Sequence, residues 1–202
     1  MKYTDTYKTI KAPAEGRYKE KGSKFLAYAF PVSNEHEIKE ITIRLRKEHH
    51  SARHHCFAWR LGADHLLFRV NDDGEPSGTA GRPIFGQIQQ QDLTDILVIV
   101  VRYFGGVLLG TSGLTNAYKQ ASAEALTNSE IIEKIIQTVI EINFDYLAMN
   151  DLMLVLKEYG LELKESNFDL TCWAKIIVRK ELTPIVMDKL EKIGKLNVMM
   201  VT

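Results

Sequence analysis

The longest uninterrupted apolar run, Ile96 to Val101, has the length of a strand and no polar face. Such a strand must be covered on both sides, so the sequence predicts an interior strand over Ile96–Tyr103. Elsewhere the pattern shifts to helical spacing. Ile38, Ile41 and Leu45 form one stripe of a helix predicted over Glu35–His49, and Asn34 with Glu37 reads as a capping box at its start. Two more helices are predicted, Gly81–Gln90 and Gly113–Thr127. Thr111 or Ser112 would cap the second, and Leu114, Ala117, Tyr118 and Ala121 would face its core. Strands are predicted at Tyr7–Ala12, Arg17–Lys21, Phe25–Phe30, His54–Leu61 and Leu66–Val70.

The last third has its own rhythm. The segment 138–146, TVIEINFDY, alternates as a half-buried strand does. Leu152, Val155, Leu156 and Tyr159 stand at helical spacing before Gly160, a C-cap signal. Strands follow at 161–170 and 171–180, then a helix from Pro184 to Gly194 and a last strand, LNVMMV. The order β-α-β-β-α-β suggests a ferredoxin-like sandwich. A boundary is expected between Asn128 and Thr138, giving domains over residues 1–132 and 133–202. The fold class is α+β.

Composition adds mainly exclusions. With 26 Lys/Arg against 26 Asp/Glu, no global field draws the chain to nucleic acid or a membrane. The two cysteines, Cys56 and Cys172, lie far apart, as in a reduced cytosolic protein. MKYTDTYKTIKAPAEG lacks the apolar core of a signal peptide, and no apolar run approaches membrane-spanning length. A cytoplasmic protein without a membrane partner is expected.

Candidate chemistry gathers between Asn71 and Leu126. Gly105, Gly106, Gly110 and Gly113 lead from the buried strand into a helix, whose free first-turn N–H groups attract anions. The competing reading is a loop that needs glycine for positive φ. The acidic turn Asp72-Asp73-Gly74-Glu75-Pro76 could hold Mg²⁺ through a few contacts and waters. It could equally cap the next helix or pair with Arg82 and Arg102. In Arg53-His54-His55-Cys56, His54 and Cys56 share one strand face while His55 takes the other. This run could hold zinc, but the second cysteine is remote and no C-x-x-C is present, and nothing in the spacing orients a base toward Cys56. Between Arg17 and Arg60 ten Lys/Arg face five Glu, a local excess suited to phosphates.

Several motifs together resemble the YigZ/IMPACT family. They are Lys21-Gly22-Ser23-Lys24-Phe25, Ala52-Arg53-His54-His55-Cys56, the run from Asn71 to Pro83, and Val101-Arg102-Tyr103-Phe104-Gly105-Gly106 with Leu109-Gly110-Thr111-Ser112-Gly113-Leu114. Ser112 stands where the pattern usually has glycine, and Asn116 where a basic residue is common. The resemblance implies an N-terminal ribosomal protein S5 domain 2-like domain. It implies a C-terminal ferredoxin-like domain similar to elongation factor G domain V. Eukaryotic relatives tune translation initiation, whereas bacterial members have no settled activity.

The expected function is therefore a regulator associated with translation, binding RNA, the ribosome or a translation-regulatory protein without catalysis. Lys24, Arg53, His54, Arg82 and Arg102 are the expected anion contacts, with the four glycines beside them and Asp72, Asp73 and Glu75 as an acidic loop. No catalytic residue, metal or cofactor is assigned. The alternative is an enzyme or binding protein for a phosphorylated small molecule or nucleotide, using the Asp72–Gly113 crevice.

Overall fold

The structure, a computed structural model, describes residues 5–169 and 171–201. It divides into two compact units. One is Tyr7–Lys134, and the other runs from Ile135 onward and includes Asp5 and Thr6.

The first unit is built on a five-stranded antiparallel sheet. Its elements in chain order are β1 (Thr6–Ile10), β2 (Ala14–Glu20), β3 (Ser23–Pro31), α1 (Glu35–Glu48), β4 (His54–Leu61) and β5 (Leu67–Asn71). Then come α2 (Gly81–Gln90), β6 (Ile96–Tyr103), α3 (Gly110–Thr127) and β7 (Ile131–Ile135). The sheet order is β2-β3-β6-β4-β5, so β6 sits at the centre and every residue from Ile96 to Arg102 is buried. One face carries α1 over Trp59, Leu97, Ile99 and Val101. The other carries α2 and α3 over Phe25, Cys56, Val98 and Val100.

Local chemistry explains most element ends. The Glu37 N–H donates to Asn34 Oδ1 (3.0 Å), as the capping box predicts, but the Glu37 carboxylate turns to the Ser33 N–H and hydroxyl instead of the Asn34 backbone. Lys21 and Gly22, at φ 45° and 80°, make the two-residue turn between β2 and β3, a conformation matched to the strand twist. Two expectations are corrected. Helix α3 begins at Gly110, not Gly113, and has no side-chain cap. Gly110 reverses the chain at φ 69°, which places Thr111 and Ser112 inside the first turn. The segment 131–136, inside the expected boundary region and assigned no strand of its own, contains strand β7, which pairs with β1.

In the second unit a strand, β8 (Gln137–Phe144), is followed by a short 3-10 turn and α4 (Met149–Glu158). Next come β9 (Leu163–Phe168), β10 (Cys172–Arg179), α5 (Thr183–Glu191) and β11 (Leu196–Val201). The strand predicted over 161–170 extends to Leu170, which lies outside the described residues. The antiparallel sheet has the order β11-β8-β10-β9. Ile140, Ile142, Ala174, Ile176 and Val178 pack from it against Leu152, Leu156, Val186 and Leu190. Among the described residues no helix is long and apolar enough to cross a membrane.

Candidate functional site

Two concavities of the first unit take up half of the residues singled out in the sequence. They open on opposite faces of the sheet, and Phe104, the residue after β6, lines both.

The larger, about 770 Å³, is a groove on the α1 face. Strand alternation builds it. Lys19 pairs with Lys24, and Lys24 with Tyr103, in one row across β2, β3 and β6; Arg17 pairs with Leu26, and Glu15 with Tyr28, in the next two. Arg17, Lys19 and Lys24 are exposed, and Glu15 is the carboxylate among the lining residues. His49 closes the inner end. Its Nε2 lies 2.9 Å from the Tyr28 hydroxyl and its Nδ1 2.9 Å from the Tyr103 hydroxyl. A neutral imidazole has one donor and one acceptor nitrogen, so one tyrosine donates to the ring and the other accepts from it. Both phenols are thereby fixed as rigid walls.

The smaller concavity, about 450 Å³, lies where β6 gives way to α3. Arg102 pairs across the sheet with Phe25 on one side and His54 on the other, so these side chains share the α3 face. Arg102 is 6% exposed, and its Nη1 donates to Glu75 Oε1 at 2.7 Å. The Tyr118 hydroxyl donates to the same oxygen at 2.8 Å. Cys56 Sγ lies 3.3 Å from that hydroxyl and 3.0 Å from the Asp72 carbonyl. Burial pushes the Cys56 thiol far up, so it is no thiolate nucleophile at neutral pH. His54 Nδ1 lies 2.9 Å from the Asp73 carbonyl oxygen, which can only accept, so this nitrogen carries the proton and Nε2 is the free edge of the ring.

The acidic loop works inward. Asp72 accepts from the N–H groups of Gly78, Ala80 and Gly81 at 2.8–3.0 Å and thereby fixes the entrance of α2. Asp73 accepts from Arg46 Nη2 and the His55 N–H, both at 2.7 Å. Burial raises the pKa of each carboxyl, but these donors outweigh it and hold both below the usual carboxylate range. Each is therefore ionised near neutrality and has no proton to give as a general acid. Depressed folded-state values mean that their stabilisation is present above the ordinary value of 3.8 and is lost as pH falls through the folded values. Asp72→Asn is expected to cost about 1–3 kcal/mol at neutral pH. It should also flatten the loss of stability on acidification, read by chemical denaturation across pH.

The candidate residues thus separate. Lys24 lines the groove, while Arg53, His54, Glu75, Arg102 and Gly110 line the smaller cavity. Gly105 is a packing residue: its N–H donates to Ser23 Oγ, and an added Cβ would lie 1.9 Å from the Gly22 carbonyl carbon. Arg82, exposed in the first turn of α2, lines neither, and neither do Gly106 and Gly113. Sequence reasoning missed the Tyr28–His49–Tyr103 arrangement and Tyr118 as a hydrogen-bond partner. The alternation of β2 and β3 could have grouped Arg17, Lys19, Lys24 and Tyr28. No sequence signal marks the Tyr118 hydroxyl.

The class so defined is a two-unit mixed α/β protein with a groove on one face of its first sheet and a helix-start cavity on the other. Residues 21–126 match the Impact N-terminal domain. The Bacillus subtilis IMPACT family member YvyE is 33% identical over 163 residues, covering 81% of this chain and 75% of that protein. The Escherichia coli IMPACT family member YigZ is 42% identical over 108 residues, 52% of this chain and 53% of that one. A crystallised hypothetical protein superposes with TM-score 0.75 at 28% identity, covering 98% of both chains. The chain belongs to the IMPACT family.

Proposed function

We propose that this protein is a non-catalytic regulator associated with translation, and that it binds RNA or the ribosome through the groove on the α1 face. The observation that carries this reading is the row Lys19–Lys24–Tyr103, with Arg17 beside it and Phe104 at its end. Cations spaced along an exposed sheet follow a phosphate backbone, and exposed aromatic faces accept bases of any sequence. Family membership supports the link to translation. In the same reading, residues 1–132 form an S5 domain 2-like domain and residues 133–202 a ferredoxin-like one resembling elongation factor G domain V. The order β11-β8-β10-β9, with α4 and α5 packed on the sheet, supports the second assignment.

Charge reversal tests the groove. The double variant Arg17→Glu/Lys24→Glu alters exposed side chains and should leave the melting temperature nearly unchanged. Its affinity for structured RNA or ribosomes, measured by filter binding, is expected to fall at least about tenfold at low salt. Unchanged affinity in the folded variant would overturn the assignment.

A further inference from the structure

The smaller cavity has a chemistry of its own. Helix α3 spans 18 residues and starts without a side-chain cap. Its first-turn N–H groups have no partners within the helix, and the positive end of the helix dipole lies there. Nothing lies within 4 Å of the position a Gly110 Cβ would occupy, so the approach to this helix start is open. A second observation is independent of the helix. Arg102 lines the cavity, is 6% exposed, and its Nε has no hydrogen-bond partner. Its guanidinium carbon sits 5.7 Å from the centre of the Phe104 ring, which is itself 54% exposed. Arg53 stands exposed among the lining residues, and His54 has Nε2 as its free ring nitrogen. Glu75, the lining carboxylate, accepts from both Arg102 and Tyr118 through one oxygen, Oε1, and the Arg102 guanidinium offsets its charge. The remaining wall is largely apolar, with Pro76, Leu109 and Leu114 among its residues.

We propose that this cavity binds a small molecule consisting of a compact oxyanion, a phosphate monoester or a carboxylate, carried on an apolar or aromatic body. The oxyanion would sit between the start of α3 and Arg102, and the body would lie on Pro76, Leu114 and Phe104. A polyanionic strand fits poorly here, because its repeating charges would face apolar walls that cannot solvate them. The site is independent of the RNA groove, which lies on the other face of the sheet.

Calorimetric titration of the full chain with phenyl phosphate, benzoate and inorganic phosphate tests it. At least one aromatic anion should bind, and more tightly than inorganic phosphate. The stronger of the two identifies phosphate or carboxylate as the natural group. Thr111→Asp places a carboxylate in the exposed first turn of α3, where it favours the helix, so the variant should fold at least as stably as the parent. It should bind the preferred probe about tenfold more weakly or worse, with its affinity for RNA in the groove unchanged. Arg53→Ala, at an exposed position, should weaken the probe severalfold. Failure of both aromatic anions to bind at millimolar concentration would overturn the proposal, as would undiminished binding by Thr111→Asp. Inorganic phosphate binding as tightly as phenyl phosphate would remove the apolar part of the ligand. Loss of RNA binding with intact probe binding would count against the groove alone.

Discussion

Glu75→Ala is expected to destabilise the first unit by about 3–5 kcal/mol, enough to leave a marginal domain largely unfolded at 37 °C. Glu75 is 9% exposed and Arg102 6%, and the two meet at 2.7 Å. Removing the carboxylate leaves a guanidinium in the interior with no counter-charge. The same change deprives the Tyr118 hydroxyl of its acceptor. The double variant Glu75→Leu/Arg102→Met removes both charges, and it is expected to recover most of the loss, since a buried ion pair can be replaced by apolar residues of similar volume at little cost. Urea denaturation of the three proteins measures the difference. If Glu75→Ala alone melts like the parent, the pair does not hold the loop.

Gly105→Ala is the second large effect, and its neighbour supplies the control. A Cβ at Gly105 would fall 1.9 Å from the Gly22 carbonyl carbon and 2.1 Å from the Ser23 nitrogen. These are backbone atoms of the β2–β3 turn, so no side chain can swing away, and the turn or the end of β6 must move. The expected cost is about 3 kcal/mol or more, at or above the upper end of overpacking. A Cβ at Gly106 meets nothing within 4 Å, although the residue sits at φ 88°. Gly106→Ala should cost only about 1–2 kcal/mol, the penalty for holding an L-residue in left-handed backbone. Thermal melts of both variants separate the two roles. Equal destabilisation would mean that the contact with Gly22 does not set the requirement for glycine at 105.

The same pair of glycines shows what the sequence could convey. The run Gly105-Gly106, followed by Gly110, is legible as a place needing glycine. Which glycine admits a neighbouring backbone depends on Gly22, more than eighty residues away in the chain. Strand β6 was legible because a continuous apolar run has one physical solution, burial on both faces. The bounds of β4 and α2 also coincide with those read from the sequence. The start of α3 was misplaced because Thr111 and Ser112 are good capping residues, while the turn is made by Gly110 at φ 69°. The acidic loop was legible as a turn but ambiguous in purpose. Asp72 caps the next helix through the N–H groups of Ala80 and Gly81, and Glu75 pairs with Arg102, both among the roles expected; the pairing of Asp73 with Arg46 and the His55 N–H was not. The groove was half legible. Its cations stood out by number, but the aromatic wall arises from cross-strand register and from His49 at the end of α1.

The most direct test of the groove is the affinity of the unmodified protein for structured RNA or ribosomes, measured as a function of salt. Three cations on a phosphate backbone should give a plot of log affinity against log salt with a slope of about −2 to −3, at roughly 0.7–0.9 per contact. Binding that is absent at low salt, or that does not change with salt, would contradict the account.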